Sequence, residues 1–108
     1  PENKAFVDQV KSATNNMRPN FMSVGGYDAM HLAYAALEAT GGETDGAALL
    51  EAMKGMEWTS PRGPISIDPQ TRDIVQDIYI REVEEVDGEL YNVEFATYEK
   101  IRDPFVTN

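Results

Sequence analysis

Hydrophobic positions along the 108-residue chain follow helical spacing in the first half and strand alternation in the last third. Phe6, Val10, Ala13 and Met17 recur at helical intervals, while Asp8, Lys11 and Asn15 fall elsewhere on the wheel. The pattern predicts an amphipathic helix over residues 4 to 15 with Asn3 as its N-cap. Asn15-Asn16 and Arg18-Pro19-Asn20 break it, because proline disfavours helix at the residue before it and cannot itself continue one.

The stretch around which the rest is arranged comes next. Phe21-Met22-Ser23-Val24-Gly25-Gly26 leads into a run from Tyr27 to Leu37 in which only Asp28 and His31 are clearly polar. A surface helix carries a polar face over roughly half its residues, so this one is expected to be buried around most of its circumference. Ser23 is the expected cap, and Gly25-Gly26 would let the backbone approach whatever lies in front of the helix start. Gly41-Gly42 ends the helix, and Thr44 or Asp45 opens a shorter one carrying Ala48, Leu49, Ala52 and Met53 that closes at Gly55.

From Met56 the texture changes. Residues 58–67 set Pro61, Gly63 and Pro64 within a short apolar alternation, and residues 68–73 read as a turn. Residues 74–83 and 90–98 are strand-like, and Val86-Asp87-Gly88-Glu89 between them is a strong hairpin signal. Asp103 to Val106 reads as an ending tail.

Composition narrows the partners. Nineteen acidic against nine basic residues give a net charge of -10, which repels nucleic-acid phosphates and anionic lipid. The absence of cysteine removes disulfide frameworks and thiolate metal sites. No apolar run reaches the roughly 20 residues of a membrane span. The chain opens on Pro1-Glu2-Asn3 without a leader, so it is expected to be a fragment or processed product of a protein whose export signal lies upstream.

No residue set carries catalytic chemistry. Gly25-Gly26 lacks the spacing of a phosphate-binding loop, and Asp28 adds negative charge there, so a neutral or carboxylate ligand and simple close packing stay equal alternatives. His31 is the only histidine and reads as a hydrogen-bonded structural residue. The acidic group Glu82, Glu84, Glu85, Asp87 and Glu89 reads as a solvated hairpin tip, and Asp68, Thr71 and Asp73 as turn capping rather than a metal site. Trp58, Tyr79, Tyr91 and Tyr98 suit core or edge packing better than a pocket, whereas Phe21 and Tyr27 flank the glycine step and have the better claim to a ligand. No metal and no cofactor is expected.

Residues 18–30 (RPNFMSVGGYDAM), 40–46 (TGGETDG) and 60–73 (SPRGPISIDPQTRD), followed by IYIREV and DGELYN, together resemble the C-terminal part of a type I periplasmic solute-binding protein, of the branched-chain amino-acid ABC importer branch. The resemblance implies an α/β fold, here a partial copy of a two-lobed doubly wound architecture with helices first, then strands and a C-terminal hairpin. Such receptors run to roughly three times this length. Residues 1–108 would be one C-terminal fragment, residues 1–55 its helical part with the cleft segment and residues 56–108 its strand and hairpin part.

By position the resemblance places Met22 against the solute's side chain, with Phe21, Gly26 and Tyr27 close by. Met22 stands where the leucine, isoleucine and valine receptors commonly have an aromatic residue, and its flexible thioether suits a different or broader solute shape. The implied function is periplasmic, non-enzymatic capture of a branched-chain or related amino acid or a small aromatic carboxylate, for delivery to a membrane permease. The alternative is a self-associating interaction module, a homodimer that covers its own apolar helix, or a truncated receptor without binding activity.

Overall fold

In the computed structural model, which describes residues 1–105, three helices precede a four-stranded sheet. Val106, read as part of the tail, lies outside the described residues. Helix α1 (Glu2–Ala13) begins earlier than its pattern suggests, with Pro1 at the N-cap position and no side-chain cap. Asn3 is therefore not the cap. Its Nδ2 donates instead to the carbonyl oxygen of Pro61 at 2.9 Å, tying α1 to the turn of the first hairpin.

Helix α2 (Phe21–Ala39) also starts earlier, which changes the place of the glycine pair. Asn20 is the N-cap: its Oδ1 accepts from the backbone N–H groups of Met22 and Ser23, each at 3.0 Å. Ser23 Oγ in turn accepts from the Asn20 N–H at 2.8 Å, completing a reciprocal capping box. Ser23 is thus the partner of the cap, and Gly25 and Gly26 lie inside the helix instead of ahead of it. The far end matches its sequence signal. Gly41 and Gly42 take φ of 69° and 91°, and their N–H groups donate to Glu38 and Leu37 at 3.2 and 2.8 Å in a Schellman closure. Asp45 caps α3 (Gly46–Met53) through Ala48 N–H at 3.1 Å.

The near-complete burial expected of α2 is not found. Its buried residues are Asp28 and Ala36, while Met30 and Tyr34 are exposed. Helix α3, Trp58, Ser60 and Arg62 of the first hairpin and Phe6 of α1 contact α2, and this cover is incomplete. No helix among them is long and apolar enough to cross a membrane.

Strands β1 (Glu57–Ser60), β2 (Gly63–Ile67), β3 (Ile74–Val86) and β4 (Glu89–Ile101) form an antiparallel sheet in sequence order. This mixed helix-and-strand arrangement fits a part of the implied fold, and the parallel strands of a doubly wound lobe do not occur among the described residues. Strand β2 pairs with β3 only as far as Gln76. Beyond it, β3 and β4 continue as a two-stranded ribbon with a register irregularity between Ile80 and Arg81. Asp87 (φ 52°) and Gly88 (φ 80°) turn the ribbon, as the Asp-Gly pair requires. The projection lengthens the molecule: its radius of gyration is 16.1 Å, against about 13 Å for a compact domain of 100 residues.

The turn before β3 is organised by Asp68, as expected. Its Oδ1 accepts from the N–H groups of Gln70 and Thr71 at 2.8 and 3.1 Å, and Arg102 Nη1 stands 3.0 Å from Oδ2. The N–H of Thr71 first, then that of Gln70, hold the Asp68 carboxyl below its ordinary range, and Arg102 adds to this. A depressed folded-state value means the contribution is complete above the unfolded-chain pKa and is lost as pH falls through the folded one. Asp68→Asn keeps an acceptor oxygen but not the charge. It is expected to flatten the decline of stability below about pH 4, read as urea midpoints along an acid series; a decline as steep as that of the parent chain would remove Asp68 from the acid response.

Candidate ligand-binding cleft

A groove of about 930 Å³ separates the helices from the projecting ribbon. Phe6 of α1 and Phe21 and Val24 of α2 line it on one side, and Ile78, Arg81, Asn92 and Glu94 on the other. Arg62 and Tyr79 line it where the first hairpin meets the ribbon. The Asn20 capping box fixes the start of α2 and so places Phe21.

Arg62 is held from behind. Its Nε donates to Asp28 Oδ2 at 2.8 Å and its Nη1 to Gln76 Oε1 at 3.2 Å. Ser60 Oγ donates to the same Asp28 oxygen at 2.8 Å. Asp28 and Ser60 are only 4% and 2% exposed, and Asp28 Oδ1 is buried without a hydrogen-bond partner. Tyr79 Oη donates to the Arg62 carbonyl oxygen at 2.6 Å. Burial, then the charges of Asp77 and Glu94, push the Tyr79 hydroxyl up, so it remains a donor at neutral pH.

Arg18 joins the two sides at the ribbon tip. Its Nη1 donates to the Leu90 carbonyl at 2.8 Å, its Nη2 lies 3.0 Å from Glu89 Oε2, and its guanidinium sits 4.2 Å from the Tyr91 ring centre. Tyr91 Oη donates to Glu89 Oε2 at 2.9 Å. That bond, ahead of the Arg18 charge, lowers the Glu89 pKa, and the same bond raises that of Tyr91.

The four residues expected at the ligand do not all meet in the groove. Phe21 lines it and is 78% exposed, while Met22 beside it points to open solvent at 71%. Gly26 is exposed, with open space around the position of a side chain. Tyr27 packs edge-on against Phe6, ring centres 5.1 Å apart, and so supports the apolar side from behind. His31 stacks on Trp58 at 5.1 Å, a packing contact where a hydrogen bond was expected. Of the acidic tip residues, Glu89 is drawn into the Arg18 contact. No group of His, Cys, Asp or Glu that could hold a metal occurs among the described residues.

Phe6, Val24 and Arg62 were missed by sequence reasoning. Arg62 did leave a signal, because Asp28 is the one acid in the apolar run from Tyr27 to Leu37 and a buried carboxylate needs a cation.

A family model described as periplasmic binding protein matches residues 1–89. The chain belongs to the periplasmic binding protein family. This is a family of substrate-binding receptors of ABC transporters rather than of enzymes. Among curated relatives, Leu/Ile/Val-binding protein homolog 6 of Brucella abortus (strain 2308) is 54% identical over 106 residues, covering 96% of this chain and 27% of the relative. A solute-binding protein of an ABC transporter from Rhodopseudomonas palustris BisB5, solved with 3,4-dihydroxybenzoic acid, is 62% identical with a TM-score of 0.92, over 96% of this chain and 28% of that one. Another from R. palustris HaA2, solved with p-hydroxybenzoic acid, is 45% identical with a TM-score of 0.84, over 93% and 27%. The chain thus spans about a quarter of the length of these periplasmic binding proteins.

Proposed function

We propose that this chain forms part of the cleft of a periplasmic receptor that delivers a small aromatic carboxylate to the permease of an ABC importer. The observation that carries this is the make-up of the groove: Phe21 and Val24 at the start of α2 lie across from Arg62, Arg81 and Asn92, which can donate to a carboxylate, on a lining that also holds Asp77 and Glu94. A small-solute site is mostly apolar with a few polar anchors. The hydroxybenzoates held by the two R. palustris proteins support this solute class. A branched-chain amino acid is the second reading, supported by the name of the Brucella relative. On either reading Phe21, Met22, Gly26 and Tyr27 mark the apolar end, with Met22 closing on the solute once the rest of the receptor faces it. The chain then binds and does not catalyse.

Calorimetry on a receptor of family length containing residues 1–108 tests this, with 4-hydroxybenzoate, 3,4-dihydroxybenzoate and leucine as titrants. Met22→Ala is expected to weaken the hydroxybenzoate that binds by about tenfold, the worth of partly burying one such side chain. Binding of leucine alone would select the second reading. Binding of none of the three would remove both.

A further inference from the structure

The turn of the first hairpin, Pro61-Arg62, lines the groove and is held by bonds from several elements. Asn3 of α1 donates to the Pro61 carbonyl at 2.9 Å, and Tyr79 of β3 to the Arg62 carbonyl at 2.6 Å. The Arg62 N–H donates at 3.2 Å to Ser60 Oγ, which itself donates to Asp28 of α2. The Arg62 side chain is held as well, its Nε by Asp28 and its Nη1 by Gln76. Asp28 is buried and needs a cation whether or not the groove is occupied, so the guanidinium stands in place before a solute arrives. An occupant then need not order a long side chain, which removes one cost of binding.

A guanidinium carries five N–H donors in a fixed fork, so bonds to Asp28 and Gln76 leave it donors for an occupant. The two cations of the groove differ in where their acid partners lie. Arg81 stands cross-strand from Glu94, which itself lines the groove, so an anion at Arg81 also meets the Glu94 carboxylate. The acid behind Arg62 is Asp28, which is buried and is not part of the lining. Asp77, the other acid on the lining, accepts from the Lys100 N–H at 2.9 Å.

We infer that Arg62, rather than Arg81 or Asn92, bonds the carboxylate of the aromatic solute, that Gln76 is a positioning residue for its guanidinium, and that the receptor thereby selects an acid over its neutral amide. This deepens the solute-binding reading above and rests on it.

The test is calorimetry on the receptor of family length, with 4-hydroxybenzoate and 4-hydroxybenzamide as titrants. The parent is expected to bind the acid about thirtyfold more tightly than the amide, the scale of a hydrogen bond to a charged group. Arg62→Lys keeps a cation beside Asp28 and is expected to fold, but one ammonium cannot serve Asp28, Gln76 and a carboxylate in the same geometry. It should lower acid affinity about tenfold and leave amide affinity within about twofold, so the preference shrinks. Gln76→Met removes one of the two holds on the guanidinium and should shrink the preference about threefold, again with amide binding nearly unchanged. An acid-to-amide ratio that stays at the parent value in both variants, including a fall of both titrants together, would overturn the anchor. So would a ratio that moves in Arg81→Lys but not in Arg62→Lys. A ratio that moves in Arg62→Lys alone keeps the anchor and removes the role of Gln76. A parent that binds acid and amide equally would overturn the anchor and leave the solute-binding reading standing. A parent that binds no hydroxybenzoate removes that reading, and the anchor with it.

Discussion

Gly63→Ala is expected to cost about 3 kcal/mol of folding free energy, from a left-handed backbone and a displaced tyrosine together. Gly63 has φ of 99°, a conformation that side chains with a Cβ rarely adopt. A methyl group built there falls 2.1 Å from Tyr79 Oη, far inside van der Waals contact. Tyr79 cannot yield cheaply, because its hydroxyl donates to the Arg62 carbonyl at 2.6 Å and its ring is rigid. Chemical denaturation of the receptor measures the loss. A cycle with Tyr79→Phe separates the two causes: removing the hydroxyl alone should cost about 1 kcal/mol, and in its background Gly63→Ala should cost distinctly less than in the parent. Strictly additive effects would show that the backbone conformation, not the tyrosine, demands glycine here.

How much of this was legible in the sequence depends on the span of the interaction. The Asp87-Gly88 turn, the Gly41-Gly42 closure and the Asp68 turn are local, and each followed from residue chemistry within a few positions. The start of α2 is local too, and its signal was present in Asn20 followed three residues later by Ser23. The glycine pair outweighed it, because Gly25-Gly26 looks like a break ahead of a helix although a well-capped apolar helix absorbs two glycines. The apolar run of α2 displayed a demand for burial without saying where the cover comes from. In these residues the cover is incomplete, which leaves Met30 and Tyr34 in water.

The groove was less legible, since its parts meet across long separations. Phe21 was readable from its place beside the helix start. Arg18 at the ribbon tip joins residues 72 apart, and nothing in the spacing around residue 18 or around residue 90 announces it. The acidic run at the tip has the composition of a solvated face, and only its geometry distinguishes Glu89 from its neighbours.

The Asp28–Arg62 pair gives the last expectation. Asp28 is buried in α2, whereas the Arg62 side chain keeps 28% of its surface exposed. The two partners are therefore unequal. Arg62→Ala leaves a buried carboxylate with Ser60 Oγ on Oδ2 and nothing on Oδ1. The expected loss is about 3 kcal/mol, the lower end of the range for breaking a buried pair from one side. Asp28→Ala leaves a guanidinium that can turn toward water and a Ser60 hydroxyl without its acceptor, for about 2 kcal/mol. The double variant should resemble Asp28→Ala more than the sum, because once the carboxylate is gone Arg62 has little left to neutralise. The pair also fixes α2 against the first hairpin, so Arg62→Ala should loosen the floor of the groove and weaken solute binding even where the protein remains folded. Denaturation midpoints for the three variants decide the matter. If Arg62→Ala proves milder than Asp28→Ala, water reaches Asp28 in the receptor, and the carboxylate belongs to the wetted groove instead of the interior that supports it.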